Sequence, residues 1–251
     1  MKRNLLILAS LTVMTGLWMM GTRAPVGAAS LTTTEHALAP AHGPVVVELF
    51  TSQSCSSCPP ADALLGELAK NNHNIIAFSC HVTYWDHLNW RDTLSRKFCT
   101  ERQRAYAAHM GSRQVYTPQM VVNGTHGFVG SNRTDAQRYI SSGAVLPIKL
   151  ALNKNDTISA TLPALPQGAS PQTLWLIRYH DAHTQAIKSG ENRGKTITYT
   201  NSIEAMNAVG VWDGRAQTFQ FPAPEGKAPN PGYAVIAQPN GFGAISAAGR
   251  L

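Results

Sequence analysis

Two cysteines three positions apart, Cys55 and Cys58, stand between a short apolar run and a pair of prolines. The run at 45–50 is rich in β-branched and other apolar residues, which is typical of a buried strand. Pro59 and Pro60 suit the first turn of a helix, where the missing proline N–H removes no hydrogen bond. The sequence therefore predicts a strand, a dithiol and a helix, in that order.

The rest of the first half alternates helix-like and strand-like segments. The predicted segments are a helix at 62–70, a strand at 75–82, a helix at 94–110, strands at 120–122 and 128–129, and a helix at 134–142. Asn123-Gly124 between the two short strands is a strong hairpin signal. The order βαβα, then ββ, then α predicts an α/β domain.

Prolines and strand-like alternation dominate the chain after residue 146. The strand candidates are 148–152, 174–179, 196–199, 218–221 and 233–237, and 203–209 is the segment with helical character. Short strands separated by turn residues predict an antiparallel sandwich or small barrel. We therefore expect a leader at 1–29, an α/β domain at 44–145 and a β-rich domain at 146–251.

The N-terminus has the residue order of a secretory signal peptide. Lys2 and Arg3 precede an apolar stretch at 5–20, and small residues follow at 26–30. Cleavage within the small-residue segment is favoured over retention as an uncleaved anchor, because signal peptidases require small residues there. The expected location is the periplasm or the outside of the cell, with no stable membrane insertion once the leader is cut.

The charge of the chain argues against a nucleic-acid partner. The formal net charge is +7, and it falls by three units when Lys2, Arg3 and Arg23 leave with the leader. The remaining basic residues are scattered and form no stripe interleaved with aromatic residues, which is the pattern that nucleic-acid binding requires.

The position of Cys55 before a helix suits thiol–disulfide exchange. A thiol attacks a disulfide as the thiolate, and a helix N-terminus lowers the pKa of a nearby thiol. We expect Cys55 to be the exposed nucleophile and Cys58 the more buried thiol that resolves a mixed disulfide. Zinc sites use the same spacing, with His81 as a candidate further ligand, but the secretory leader favours redox chemistry. No metal and no organic cofactor are expected.

The other two cysteines, Cys80 and Cys99, flank an aromatic segment. Four cysteines allow three connectivities, and the simplest pairs the motif cysteines with each other and Cys80 with Cys99. Three residues of the segment, His81, Tyr84 and Trp85, lie at or just after the C-terminal end of a predicted strand and are candidate recognition residues at the rim of the site, because they combine apolar surface with a polar handle. The alternative is that these aromatic residues only pack the segment onto the domain.

Several stretches resemble one known family: VVVELFTSQSCSSCPPADALL, HVTYWDHLNW, RQRAY and VYTPQMVVNG. They are similar to the secreted bacterial family named domain of unknown function 1223, which is placed in the thioredoxin-like superfamily. The resemblance implies a thioredoxin-like fold for 44–145. It also implies that Thr117-Pro118 is a cis peptide beside the dithiol, with the Thr117 backbone exposed to a substrate strand. It implies no reaction, since the family is named for lacking one.

The expected function is that of a periplasmic or secreted thiol–disulfide oxidoreductase acting on protein thiols or disulfides. Its site residues would be Cys55, Cys58, Thr117 and Pro118. Two alternatives remain open: a non-catalytic binding module with a structural dithiol, and a copper- or zinc-handling protein. The direction of exchange depends on the potential of the dithiol, which the sequence does not set.

Overall fold

The computed structural model describes residues 43–226, 230–239 and 242–251, so the predicted leader at 1–29 lies outside the described residues. The helices are α1 Pro59–Asn71, α2 Lys97–His109 and α3 Arg133–Ile140. The strands are β1 Val45–Thr51, β2 Ile75–His81, β3 Gln119–Val122, β4 His126–Val129, β5 Leu146–Pro147, β6 Lys149–Leu152, β7 Thr157–Leu162, β8 Gln172–Ala186, β9 Thr196–Trp212, β10 Gln217–Pro222, β11 Pro231–Pro239 and β12 Ala247–Arg250. None of the helices in these ranges is both long and apolar enough to cross a membrane.

The strands form a mixed α/β fold with one large and one small sheet. The large sheet has nine strands in the order β4-β3-β1-β2-β9-β8-β11-β12-β5, and the small sheet has the order β10-β7-β6. In the large sheet β1 pairs parallel with β2 and antiparallel with β3. The small sheet is antiparallel throughout.

The large sheet crosses the predicted domain boundary. Strand β2 pairs in parallel with β9 at Ser79 and Ser202, so strands from the second half extend the sheet of the first half. The prediction of helical character at 203–209 was wrong, because this segment lies inside β9 between β2 and β8. Its backbone is paired along a long register with β8, and such tertiary pairing overrides weak local propensity. The division into two domains near residue 145 stays a prediction.

Alternation along β1 and β2 sends side chains to two separate cores. Odd-numbered residues such as Val47 and Leu49 pack against α1 and α3. Even-numbered residues such as Phe50 and Phe78 pack against α2. Strands buried on both faces explain the continuous apolar runs in the sequence, because neither face meets solvent.

A buried ion pair between Arg102 and Glu48 links α2 to β1. Arg102 Nε donates to Glu48 Oε1 at 2.5 Å, and the Tyr106 hydroxyl donates to Glu48 Oε2 at 2.6 Å. Arg102 also donates to Gln238 Oε1 at 3.2 Å, which ties the pair to β11. A buried charge needs partners of this kind, and here they come from both halves of the chain.

Candidate functional site

The dithiol lies where β1 ends and α1 begins. Cys58 is the N-cap residue of α1, and Pro59 and Pro60 occupy its first turn. Cys55 lies one turn earlier, and its carbonyl accepts the Cys58 N–H at 3.2 Å. The two cysteines are joined in a disulfide, with their Cα atoms 5.4 Å apart. The positive end of the α1 dipole therefore lies at this disulfide.

Both cysteines of the pair are buried, so the prediction of an exposed Cys55 was wrong. Cys55 is 1% exposed and Cys58 is 0% exposed. The two serines between them, Ser56 and Ser57, are exposed, and Ser57 Oγ lies 3.4 Å from Cys55 Sγ. The turn therefore faces outward while the sulfurs face inward.

A loop from the second half of the chain contacts the dithiol turn. The 187–195 loop joins β8 to β9, and one of its residues reaches the backbone beside Cys55. Its Asn192 is 0% exposed, and the Asn192 Nδ2 group donates to the carbonyls of Gln53 and Cys55 at 2.9 and 2.8 Å. The backbone on either side of Ser54 is thus held by one side chain that is far away in sequence.

Five polar side chains form a buried cluster on the α1 side of the sheet. The cluster consists of Thr51, Asp62, His81, Asp92 and Tyr199, and each is 2% exposed or less. Thr51 and His81 are cross-strand neighbours on β1 and β2, and the His81 and Tyr199 rings meet edge to face at 4.6 Å. Alternation along β2 places His81 on this face and Cys80 on the other.

His81 is held in the cluster by Asp92. His81 Nδ1 lies 2.7 Å from Asp92 Oδ2, and the Asp92 carboxylate also accepts the N–H groups of Gln53 and Leu94, each at 2.8 Å. Burial would raise the pKa of Asp92, but His81 and these N–H donors together lower its pKa below the usual value. His81 was predicted at the rim of the site, and this was wrong because the end of β2 is covered.

Asp62 is the unusual member of the cluster. It lies four residues after Cys58 and so on the same face of α1. Among the described residues, the two carboxyl oxygens of Asp62 and the Nε2 atom of His81 have no well-formed hydrogen bond. Burial raises the pKa of Asp62 to about 7, while His81 and the nearby Thr51 hydroxyl partly oppose the rise. A group with this pKa changes protonation state near neutral pH, and it lies one helical turn after Cys58.

The Thr117-Pro118 bond is cis and opens β3. Pro118 is buried, and its carbonyl accepts the Gly130 N–H at 2.9 Å. A Cβ added to Gly130 would lie 3.2 Å from both Pro118 Cβ and Ala61 Cβ. The proline ring and the first turn of α1 therefore flank the same glycine.

Tyr84 and Trp85 are half-buried between this proline segment and α2. Trp85 Nε1 donates to Thr117 Oγ1 at 2.8 Å, and the Tyr84 hydroxyl donates to Gln103 Oε1 at 3.1 Å. Their polar atoms thus hold the segment in place. This agrees with the alternative interpretation, in which these aromatic residues pack the segment onto the domain. Tyr116, next to the cis bond, is 39% exposed.

A family model described as "Protein of unknown function (DUF1223)" matches residues 46–238. The chain belongs to the DUF1223 family. No curated protein matches the sequence.

Two solved structures are similar to this DUF1223 protein. A crystal structure of a protein from Agrobacterium tumefaciens, determined by structural genomics, has 30% sequence identity and a TM-score of 0.69, and the match covers 84% of this chain and 94% of that chain. HBP35 of Porphyromonas gingivalis has 13% identity and a TM-score of 0.58, with 84% of this chain and 75% of that chain covered. The second likeness concerns the fold alone.

The DUF1223 chain contains a second disulfide between Cys80 and Cys99, the pair that the sequence analysis favoured. Their Cα atoms are 5.3 Å apart, and the bond joins β2 to α2. Both cysteines are 0% exposed and lie in the apolar core with Phe78 and Val82.

A polar cleft of about 660 Å³ borders the 187–195 loop of this DUF1223 protein. Its walls include Ser54, His87 and Asn89 on one side and Glu191 and Arg193 on the other. Within the described residues, no group of three or more His, Cys, Asp or Glu side chains is arranged to hold a metal ion.

Sequence reasoning missed Asp62, Asp92, Tyr199 and Asn192. A signal existed for Asp62, since an acid between apolar helix positions and four residues after Cys58 must share the buried face. No local signal marks Asn192, because its contacts span 137 residues or more of sequence.

Proposed function

We propose that this protein is a periplasmic or secreted thiol–disulfide oxidoreductase that uses the Cys55–Cys58 pair on protein thiols or disulfides. The observation that carries the proposal is a disulfide at the start of a helix that carries, four residues after Cys58, a buried acid whose pKa is raised to about 7. Structural disulfides need neither feature, because their sulfurs do not change charge. A thioredoxin-like arrangement of the first half, with Thr117-Pro118 beside the pair, belongs to the same proposal.

The exchange balances as two sulfur displacements. A substrate thiolate attacks Cys55 Sγ, the Cys55–Cys58 bond breaks, and its electron pair goes to Cys58 Sγ. A second substrate thiolate then attacks the substrate sulfur of the mixed disulfide, and Cys55 leaves as a thiolate. The substrate dithiol becomes a disulfide, the protein disulfide becomes a dithiol, and the two protons pass to the protein. The reverse sequence reduces a substrate disulfide.

Asp62 supplies the proton that Cys58 needs in this scheme. Negative charge on Cys58 Sγ develops in a buried place, where an uncompensated charge is costly. Asp62 lies on the same helix face, and burial raises its pKa to about 7, in the range that suits a proton donor at neutral pH. His81, fixed through Nδ1 by Asp92, presents Nε2 as the next group of the cluster.

The secreted location also belongs to this proposal. Two disulfides in one chain suit an oxidising compartment, since cytosolic thiols are kept reduced. The N-terminus, which has the residue order of a secretory leader, also favours a secreted location.

A catalytic assay tests the proposal. The full-length chain without its leader is mixed with a reduced, unfolded secreted protein, and formation of substrate disulfides is followed in a glutathione buffer. We expect wild type to accelerate the reaction, the double variant Cys55→Ala/Cys58→Ala to lose the acceleration, and the control Cys80→Ala/Cys99→Ala to keep it. Equal rates with wild type and with buffer alone would contradict the proposal.

A second candidate function is a non-catalytic binding module in which Cys55–Cys58 is purely structural. The near-complete burial of both sulfurs favours it. The two candidates differ in whether the disulfide is reducible in the folded protein.

A further inference from the structure

The 187–195 loop is hydrogen-bonded to the backbone of the dithiol turn at Gln53, Cys55 and Ser56. It comes from the hairpin between the two longest strands, far in sequence from the dithiol turn that it contacts. Because a thiolate must approach a disulfide sulfur directly, a sulfur that is 1% exposed does not react until something moves. The contacts of the loop show which part moves.

The base of the loop is fixed. The Ile187 N–H donates to the Lys195 carbonyl at 2.9 Å, and the Gly194 N–H donates to the Ile187 carbonyl at 2.9 Å. Ile187 is 2% exposed and packs with Leu94 and Tyr199 in a small apolar cluster. These contacts hold the two ends of the loop together whether or not its tip is in place.

The tip is held over the dithiol by polar contacts. Asn192 Nδ2 donates to two carbonyls, those of Gln53 and Cys55. Lys195 Nζ donates to Asn192 Oδ1 at 2.9 Å, which orients the amide so that its N–H groups face the dithiol turn. Glu191 adds one contact, since its Oε2 accepts the Ser56 N–H at 3.2 Å.

The other side of the tip makes few contacts: Ser189 Oγ donates to the Asn89 carbonyl at 2.6 Å, and a Cβ added to Gly190 would lie 3.2 Å from Trp90 Cβ. Glu191 and Arg193, the two neighbours of Asn192, line the polar cleft of about 660 Å³. Gly190 and Gly194 flank the tip with φ values of +75° and +83°, a backbone region that glycine adopts without strain. Outward movement of the tip therefore breaks a few hydrogen bonds, including the one from Ser189 to Asn89, and moves Gly190 away from Trp90, while the apolar cluster at the base of the loop stays packed.

We propose that the 187–195 loop is a gate over the Cys55–Cys58 disulfide and that Asn192 is the positioning residue that keeps the gate shut. A substrate that displaces the tip from the cleft side gains access to Cys55. A substrate that does not displace the tip cannot reach the disulfide. The selection of substrates rests on the proposed redox function, whereas the gate itself is tested without any protein substrate.

The test compares the two disulfides of the same molecule. Native, oxidised protein is incubated with dithiothreitol, which closes to its cyclic disulfide as each protein disulfide becomes two thiols. Samples are quenched with an alkylating reagent, and mass spectrometry gives the reduction rate of Cys55–Cys58 and of Cys80–Cys99. The ratio of the two rates separates local opening from global unfolding, since unfolding exposes both bonds.

Asn192→Ala should raise the Cys55–Cys58 rate and leave the Cys80–Cys99 rate unchanged. Each hydrogen bond contributes about 5-fold to the closed population, so loss of both gives a rise of roughly 25-fold. The matched control is Asn153→Ala, because Asn153 Nδ2 contacts only the exposed Ser159 Oγ at 2.8 Å and touches neither disulfide. The control should leave both rates at their wild-type values.

If Asn192→Ala does not fold, Glu191→Ala tests the gate in its place. Glu191 is exposed and makes a single contact with the dithiol turn, so a rise of about 5-fold in the Cys55–Cys58 rate alone is expected. An unchanged rate ratio in the folded variants, or an equal rise for both disulfides, would overturn the gate. If Asn192→Ala passes and the wild-type chain still catalyses no exchange with protein thiols, the gate stands and the proposed function falls.

Discussion

The two disulfides of this protein are equally buried but have different surroundings. Cys80–Cys99 lies among aromatic and aliphatic side chains between β2 and α2. Cys55–Cys58 lies at the start of a helix that carries a buried acid, and its turn is held by polar contacts from a distant loop. Exposure therefore does not separate the two disulfides, whereas the polar and titratable groups of their surroundings do.

The largest expected difference between the pairs is in trapping of substrates. Cys58→Ala should accumulate mixed disulfides through Cys55, because the thiol that releases them is gone. Cys99→Ala should accumulate none, since Cys80 is enclosed in the apolar core. Incubation of each reduced variant with periplasmic or secreted protein whose disulfides are intact, followed by non-reducing gels, checks this, because the free thiolate attacks a substrate disulfide and one substrate thiol leaves. Trapping by Cys55→Ala but not by Cys58→Ala would reverse the roles of the two motif cysteines.

Asp62→Asn should change how stability depends on pH. The folded-state pKa of Asp62 is raised to about 7, so its contribution to stability is full below its unfolded value and is lost as pH rises through 7. Three pKa units correspond to roughly 4 kcal/mol, which the variant no longer loses between pH 4 and pH 8. Urea unfolding of both proteins at the two pH values measures this difference.

Asp92→Asn is the matched control for that prediction. The pKa of Asp92 is lowered in the folded state, so its contribution is full above its unfolded value and is lost as pH falls. Its variant should therefore lie closest to wild type in stability at the acid end of the range. A pH profile for Asp62→Asn that runs parallel to that of wild type would contradict the environment assigned to Asp62.

Removal of each disulfide should destabilise the fold to a different degree. Cys80–Cys99 closes a loop with a sequence separation of 19, and Cys55–Cys58 one with a separation of 3. Loop entropy gives about 3 kcal/mol for the first and about 2 kcal/mol for the second. Unfolding of the two double-alanine variants in denaturant compares them. A larger loss for the short loop would show that the motif disulfide is the main structural staple.

The smallest effect is expected at Ser57. Its hydroxyl lies 3.4 Å from Cys55 Sγ and stabilises the thiolate when the disulfide opens. Ser57→Ala should make the Cys55–Cys58 pair less oxidising by up to about 5-fold in its equilibrium constant with glutathione, the worth of one hydrogen bond. The Cys80–Cys99 pair serves as the internal control and should not change.

Local pattern was enough to predict the elements around the dithiol. The strand, the proline-capped helix, the hairpin at Asn123-Gly124 and the pairing of Cys80 with Cys99 all follow from signals within a few residues or from cysteine arithmetic. The cis state of Thr117-Pro118 came from family resemblance.

The rest depends on contacts that are remote in sequence. The exposure of Cys55 was wrongly predicted because its turn is bonded to Asn192, 137 residues away, and the segment 203–209 was wrongly predicted because it pairs with β8 as a strand. His81 was wrongly predicted at the rim of the site for a related reason, since it is bound to Asp92 in the buried cluster. Sequence periodicity predicts which face of a helix or strand is apolar, but it does not predict which distant loop contacts that element.

The most direct test of the difference between the two disulfides is a redox titration of the wild-type protein in glutathione buffers. We predict that Cys55–Cys58 equilibrates at a measurable potential above about −300 mV, while Cys80–Cys99 stays oxidised over the same range. Joint reduction of both bonds at one potential, or a Cys55–Cys58 bond that resists reduction as long as Cys80–Cys99 does, would contradict it.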